Sequence, residues 1–106
     1  MLSRFIMFFA TFLLSVSVLA SEVADVSIKK FEFIPKEITV KKGTKVRWTN
    51  NEKRQYHSVW FEERGDAESD YFFPEETYEL EFNEVGTFPY RCGPHPKMLG
   101  VVIVTE

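Results

Sequence analysis

From about residue 22 onward, apolar and polar side chains alternate with a period of two. This pattern constrains the fold more than any other feature of the chain. Successive side chains of a strand point to opposite faces, so the alternation predicts half-buried strands. Ile38 and Val40 alternate with Glu37, Thr39 and Lys41, and Lys42-Gly43 then forms a turn in which glycine accepts a positive φ. Val46 and Trp48 alternate with Lys45, Arg47 and Thr49 and stop at Asn50-Asn51. His57, Val59 and Phe61 share one parity of a further strand, Ser58 and Trp60 the other. Tyr78, Leu80 and Phe82 alternate with Glu79 and Glu81; beyond a turn at 83–86, Phe88, Tyr90 and Cys92 face opposite to Thr87, Pro89 and Arg91. The run 100–105 is apolar on both parities. Short strands at intervals of about 8–12 residues predict an all-β sandwich or barrel.

Two segments fit the alternation less well. The apolar parity shifts near Lys30 within 29–35, which predicts a bulge or an edge strand that changes sheet. Residues 62–76 are acidic but interrupted by Tyr71-Phe72-Phe73-Pro74, and read as a surface loop whose aromatic cluster tucks under the sandwich.

Residues 1–20 follow different rules. Arg4 precedes an apolar run through Phe5, Ile6, Phe8, Phe9, Phe12, Leu13 and Leu14, which closes on Val18-Leu19-Ala20. A basic start, a short apolar stretch and a small residue at the end describe a secretory signal peptide, cleaved after Ala20 or, alternatively, Ala24. A retained membrane anchor is the competing reading, but Ser15 and Ser17 break a run already shorter than the roughly 20 residues a span needs. Residues 21–106 then form a single exported domain with no membrane segment. Sixteen acidic against thirteen basic side chains exclude a nucleic-acid binder working through a basic face. The one cysteine excludes an internal disulfide.

What remains is a small set of metal-binding side chains. After residue 20 the chain has one Cys, two His and one Met, and three of these four lie in Cys92-Gly93-Pro94-His95-Pro96-Lys97-Met98. The fourth, His57, shares the inward parity of Val59 and Phe61 as Cys92 shares that of Tyr90 and Phe88. Singly, a cysteine could be a buried apolar residue or a reactive thiol, His57 an ordinary strand residue and Met98 core. Together, two imidazoles, a thiolate and a weak thioether make a three-plus-one copper set. Zinc competes for the first three donors but gains nothing from Met98. Thiolate and thioether favour Cu(I) and imidazole also suits Cu(II), so a rigid site of this kind would let one copper ion change charge with little ligand movement. Four protein ligands leave no open coordination position, so the chain is read as a carrier and not an enzyme.

These residues also carry a resemblance. Val40-Lys41-Lys42-Gly43-Thr44-Lys45-Val46-Arg47-Trp48-Thr49-Asn50, the segment with His57, and Gly86-Thr87-Phe88-Pro89-Tyr90-Arg91-Cys92-Gly93-Pro94-His95-Pro96-Lys97-Met98-Leu99-Gly100 resemble the cupredoxins, the type 1 blue copper proteins. The resemblance covers residues 26–104, and the spacing Cys-x2-His-x2-Met is that of a short ligand loop. It implies a Greek-key β-sandwich of seven to eight strands with type 1 copper at one end. His57, Cys92 and His95 would be its equatorial ligands and Met98 its axial one. It implies a periplasmic, monomeric one-electron carrier between redox partners, such as a c-type cytochrome or a periplasmic dehydrogenase, contacted through the His95 surface. A copper-delivery protein would use the same ligands. Leu99 and Val101 have the outward parity that an apolar contact near His95 needs, or else pack against the 62–74 loop. Lys53, Arg54 and Lys97 would ring the copper end, with the acids of 62–76 further away. Two departures stand out: Ser58 occupies a position where cupredoxins usually carry an Asn that ties the ligand loops together, and is shorter in reach. Lys97 replaces an apolar residue.

Overall fold

The structure, a computed structural model, describes residues 22–106. The signal-peptide reading of 1–20 lies outside them. Seven strands form two sheets: β1 (Val23–Lys29), β2 (Glu32–Ile34), β3 (Glu37–Lys41), β4 (Thr44–Asn50), β5 (Thr77–Phe82), β6 (Gly86–Arg91) and β7 (Leu99–Thr105). One sheet has the order β2-β1-β4-β5, the other β3-β7-β6. β1 runs parallel to β4 and β3 parallel to β7, while the remaining pairs are antiparallel. These non-sequential neighbours make the sandwich a Greek key, as expected.

The period-two pattern sets the interior. In β4, Thr44, Val46, Trp48 and Asn50 are buried while Lys45, Arg47 and Thr49 lie on the outer face. Val26, Ile28, Phe33, Val46, Trp48 and Phe82 of the first sheet meet Val40, Tyr90, Val102 and Val104 of the second. At the centre, the fully buried Trp48 donates its indole N–H to the Tyr90 hydroxyl at 3.0 Å and packs edge-on against that ring. This bond joins the two sheets and satisfies both buried polar atoms, a pairing that contributes about 1 kcal/mol net and far more against the alternative of leaving them unpaired. Gly100 is opposite Tyr90 in the β6–β7 register, and the ring lies where a side chain on Gly100 would be.

Three expectations need correction. The segment around His57 is not a strand but irregular chain held by two isolated bridges, His57 to Phe72 and Trp60 to Arg91. It cannot extend a ladder because its partners differ along its length, and between the bridges the Val59 amide donates to Ser69 Oγ. The parity shift near Lys30 is not a bulge; the expected edge strand is present as β2, and the chain crosses to the other sheet only after it, at β3. Lys30 and Phe31 both adopt positive φ, 54° and 60°, and form a two-residue turn from β1 back to the edge strand β2. The aromatic cluster is split: Phe72 is buried, but Tyr71 and Phe73 are about half exposed.

Gly100→Ala should lower stability by about 1–3 kcal/mol, because the new methyl overlaps a ring that is buried and hydrogen-bonded. Urea denaturation of the wild-type and variant proteins measures the difference; an unchanged midpoint would contradict this packing.

Candidate metal centre

At one end of the sandwich the folded chain brings three of the four expected donors together. One ligating atom each from His57, Cys92 and His95 lie within 4.8 Å of one another. Cys92 Sγ is 3.7 Å from His57 Nδ1 and 3.4 Å from His95 Nδ1. Metal–nitrogen and metal–sulfur bonds of about 2.0 and 2.3 Å set 120° apart would separate sulfur and nitrogen by about 3.7 Å. Both sulfur–nitrogen separations therefore fall near what ligation of one shared ion requires, and the chemistry of the set, one thiol and two imidazoles, is that of a copper site. Met98 is buried at the same end.

Local structure explains this convergence. Cys92 follows the last residue of β6 and Met98 precedes the first of β7, so the hairpin between them is the ligand loop. The Cys92 amide donates to the Met98 carbonyl at 3.1 Å and the Met98 amide to the His95 carbonyl at 2.9 Å, closing the loop on itself. Pro94 and Pro96 fix φ on either side of His95. His57 is placed by the buried Asn50 at the end of β4. The Asn50 side chain donates to the carbonyls of Gln55 at 2.8 Å and Phe72 at 3.0 Å, and accepts from the Glu52 amide at 2.9 Å. The Phe72 and His57 backbones in turn pair in both directions.

Side chains outside the expected ligand set orient the donors. His57 turns Nδ1 toward Cys92 and Nε2 toward the Glu52 carboxylate, 3.2 Å away. A carboxylate on the outer nitrogen of a ligand imidazole fixes the ring and its tautomer. The same Glu52 oxygen accepts the Phe31 amide at 2.8 Å, clamping the tight turn of the β1–β2 hairpin against the site. The Phe31 ring meets that of His95 edge-on, with centroids 4.9 Å apart. A phenylalanine in the left-handed region carries backbone strain of about 1–3 kcal/mol, held here by the Glu52 clamp. Tyr56 stacks on Tyr71 and stands 6.3 Å from the His95 ring. On the Cys92 side, the Ser58 amide points at Sγ from 3.4 Å. The Ser58 hydroxyl accepts the Gly93 amide at 2.8 Å and donates to Glu68 at 2.7 Å. Ser58 therefore does tie the two ligand segments together despite its short side chain. The acidic run is not wholly remote from the centre, because Glu68 reaches back to it. Leu99 is half exposed and edges a shallow groove with Trp60, Glu62 and Glu63.

Burial pushes the Cys92 thiol up; the amides of Ser58 and His95 oppose that, and the Glu68 charge adds to it. Burial lowers His57, the Glu52 contact opposing and the nearby His95 reinforcing the shift. For Glu52, burial raises the carboxyl, but the Phe31 and Lys30 amides and the His57 ring together hold it below its ordinary value.

With this geometry, the comparisons with known proteins define the class. The family profile "Copper binding proteins, plastocyanin/azurin family" matches residues 20–105, and the chain belongs to that family. The short Cys-x2-His-x2-Met loop points within it to amicyanin, and the similarity to amicyanins is extensive. The chain is 39% identical over 84 residues to amicyanin-alpha of Methylorubrum extorquens, covering 76% of this chain and 70% of that one. It is 40% identical over 93 residues to the amicyanin of Paracoccus denitrificans, covering 80% and 70%. The crystal structure of amicyanin from Paracoccus versutus superposes with a TM-score of 0.72 at 34% identity, over 83% of this chain and 85% of that one. The cofactor of this family is copper, which supplies one-electron chemistry by alternating between Cu(I) and Cu(II), and the protein is an electron-transfer cupredoxin.

Acid should destabilise the metal-free protein in two stages. The folded His57 value lies below 6.5, so the unfolded chain takes up that proton first and stability falls as the pH drops through about 6.5. Glu52 contributes stability that is present above 4.5 and is lost as the pH falls further, through its folded value. Denaturation midpoints of the metal-free protein across this range test the sign; a flat profile between pH 7 and 5 would contradict the His57 environment.

Proposed function

We propose that residues 1–20 direct export and that residues 21–106 act in the periplasm as a soluble, monomeric one-electron carrier. His57, Cys92 and His95 are its equatorial copper ligands and Met98 its axial ligand. The observation that carries this reading is the convergence of one thiol and two imidazoles at one end of the sandwich, with both imidazole nitrogens 3.4–3.7 Å from the Cys92 sulfur. A site built by hydrogen bonds from Asn50, Glu52 and Ser58 keeps its donors in place when the charge of the centre changes, and small reorganisation is what fast electron transfer requires. With four protein donors the chain offers no position for a substrate, which favours a carrier over an enzyme.

The His95 ring is the least buried part of the donor set and the natural exit for an electron. Around it are the exposed Phe31, Tyr56 and Pro96, with Tyr71 and Phe73 beyond. Lys97 lies beside His95 on this surface, Lys30 precedes Phe31 in its turn, and Lys53 and Arg54 lie in the loop between Glu52 and Tyr56. All four are exposed, and none pairs with an acid among the described residues. Such a rim favours a protein partner, a c-type cytochrome or a dehydrogenase, that offers an acidic border around its own redox centre.

Copper(II) added to the metal-free protein should produce an intense thiolate-to-copper absorption in the visible, absent in Cys92→Ala. A colourless protein with full copper occupancy would contradict the ligand assignment. In stopped-flow oxidation by an acidic-faced c-type cytochrome, Lys97→Glu should slow the second-order rate on the order of tenfold at low salt, and the difference should shrink as salt screens it. Negligible exchange alongside ready loss of copper to an acceptor would instead identify a delivery protein.

A further inference from the structure

Ser58 and Glu68 form a unit that the expected ligand set leaves unexplained. Glu68 arrives on the 65–70 loop, which docks on the ligand segment by a paired contact: the Ser69 amide donates to the Val59 carbonyl at 3.0 Å, and the Val59 amide to Ser69 Oγ at 2.9 Å. That places the Glu68 carboxylate against the Ser58 hydroxyl and the Gly93 backbone. A Cβ on Gly93 would fall on Glu68 Oε2, so a side chain at this position would push the carboxylate aside.

The hydrogen-bond directions follow from the donors available. A serine hydroxyl has one proton and two lone pairs and is free to rotate, whereas a carboxylate only accepts. Glu68 takes the Ser58 proton, which leaves an Oγ lone pair aimed at the Gly93 amide. The Ser58 amide meanwhile points at Cys92 Sγ. Two contacts in opposite senses thus join 57–58 to 92–93, and the orientation of one of them depends on Glu68. Arg91 braces the same unit from its carbonyl side, with Nη1 at 3.3 Å from the Cys92 oxygen and 3.2 Å from the Gly93 oxygen. Its charge is paired with Glu62 at 2.9 Å.

We propose that Glu68 is a positioning residue of the metal centre: through Ser58 it locks the Gly93 amide and sets the two ligand segments against each other, and its negative charge behind the Cys92 sulfur favours the oxidised metal. The inference rests on the copper reading above. A fixed negative charge near a metal stabilises the more positive of two oxidation states, and a half-buried position limits screening by solvent.

Two measurements separate the parts of the proposal. In the metal-free protein, hydrogen exchange of the Gly93 amide should accelerate on the order of tenfold in Ser58→Ala and Glu68→Ala, as expected for loss of one hydrogen bond. It should stay protected in Glu68→Gln, whose amide oxygen still accepts the Ser58 proton. In the copper-loaded protein, Glu68→Gln and Glu68→Ala should both raise the reduction potential, with far-UV circular dichroism confirming the fold. Gly93→Ala, which moves the carboxylate aside but keeps its charge, should raise the potential by less than Glu68→Ala does. Unchanged Gly93 exchange in Ser58→Ala and Glu68→Ala overturns the positioning role, and an unchanged potential in both Glu68 variants overturns the electrostatic one. Failure of the copper reading itself is distinct, since wild-type protein would then show no thiolate–copper absorption at all.

Discussion

The end of the sandwich depends on an arrangement that a polypeptide alone has little reason to keep: a thiol and an imidazole, both wholly withdrawn from water, facing each other at 3.7 Å. Burying polar groups costs free energy unless partners replace the lost water. The chain meets that cost with backbone and carboxylate contacts on the far side of each donor, leaving the near side free. His57 is satisfied through Nε2 by Glu52 and Cys92 by the Ser58 amide, so the faces turned toward each other remain available to a metal. The centre is thus assembled from behind.

The supports of the centre are shared, and this makes it stiff. Asn50 fixes both the loop that carries Glu52 and the Phe72 segment that pairs with His57. Glu52 then holds His57 and the Phe31 turn at once. Loosening any one of these residues would release several others. The Trp48–Tyr90 bond plays the same part in the interior, where it keeps β4, which ends at Asn50, against β6, which ends beside Cys92. The two elements that deliver the ligands are therefore tied at the core as well as at the rim.

The legible parts of the sequence were those governed by periodicity and donor chemistry. Alternation located β3, β4, β5 and β6 and the inward side of Trp48, Phe82 and Tyr90, while the apolar run at 100–105 marked β7. Ala24, Val26 and Ile28 carry the same alternation in β1, a signal available but masked by the signal-like segment just before it. The irregular support of His57 was not legible, because its inward parity is also what a strand would show; only the tertiary partners Phe72 and Arg91 distinguish the two. Glu52 and Glu68 were hidden for another reason. An acid within a charged stretch looks solvated, and nothing in spacing marks the one whose carboxylate folds inward. Phe31 was obscured by its backbone, since a bulky residue at positive φ defeats the turn chemistry from which such turns are usually recognised.

The placement of charge completes the physical account. Glu52 lies behind His57 and Glu68 beside Gly93, both on the protein side of the donors, whereas Lys97 lies beside the exposed His95 surface. The centre thus has negative charge at its back and positive charge at its mouth. Charges at the back of the donors act at short range, where little water intervenes, whereas an exposed lysine acts through solvent on whatever approaches. On the proposed reading, tuning of a bound ion and attraction of a partner fall to different residues with different sensitivities to salt.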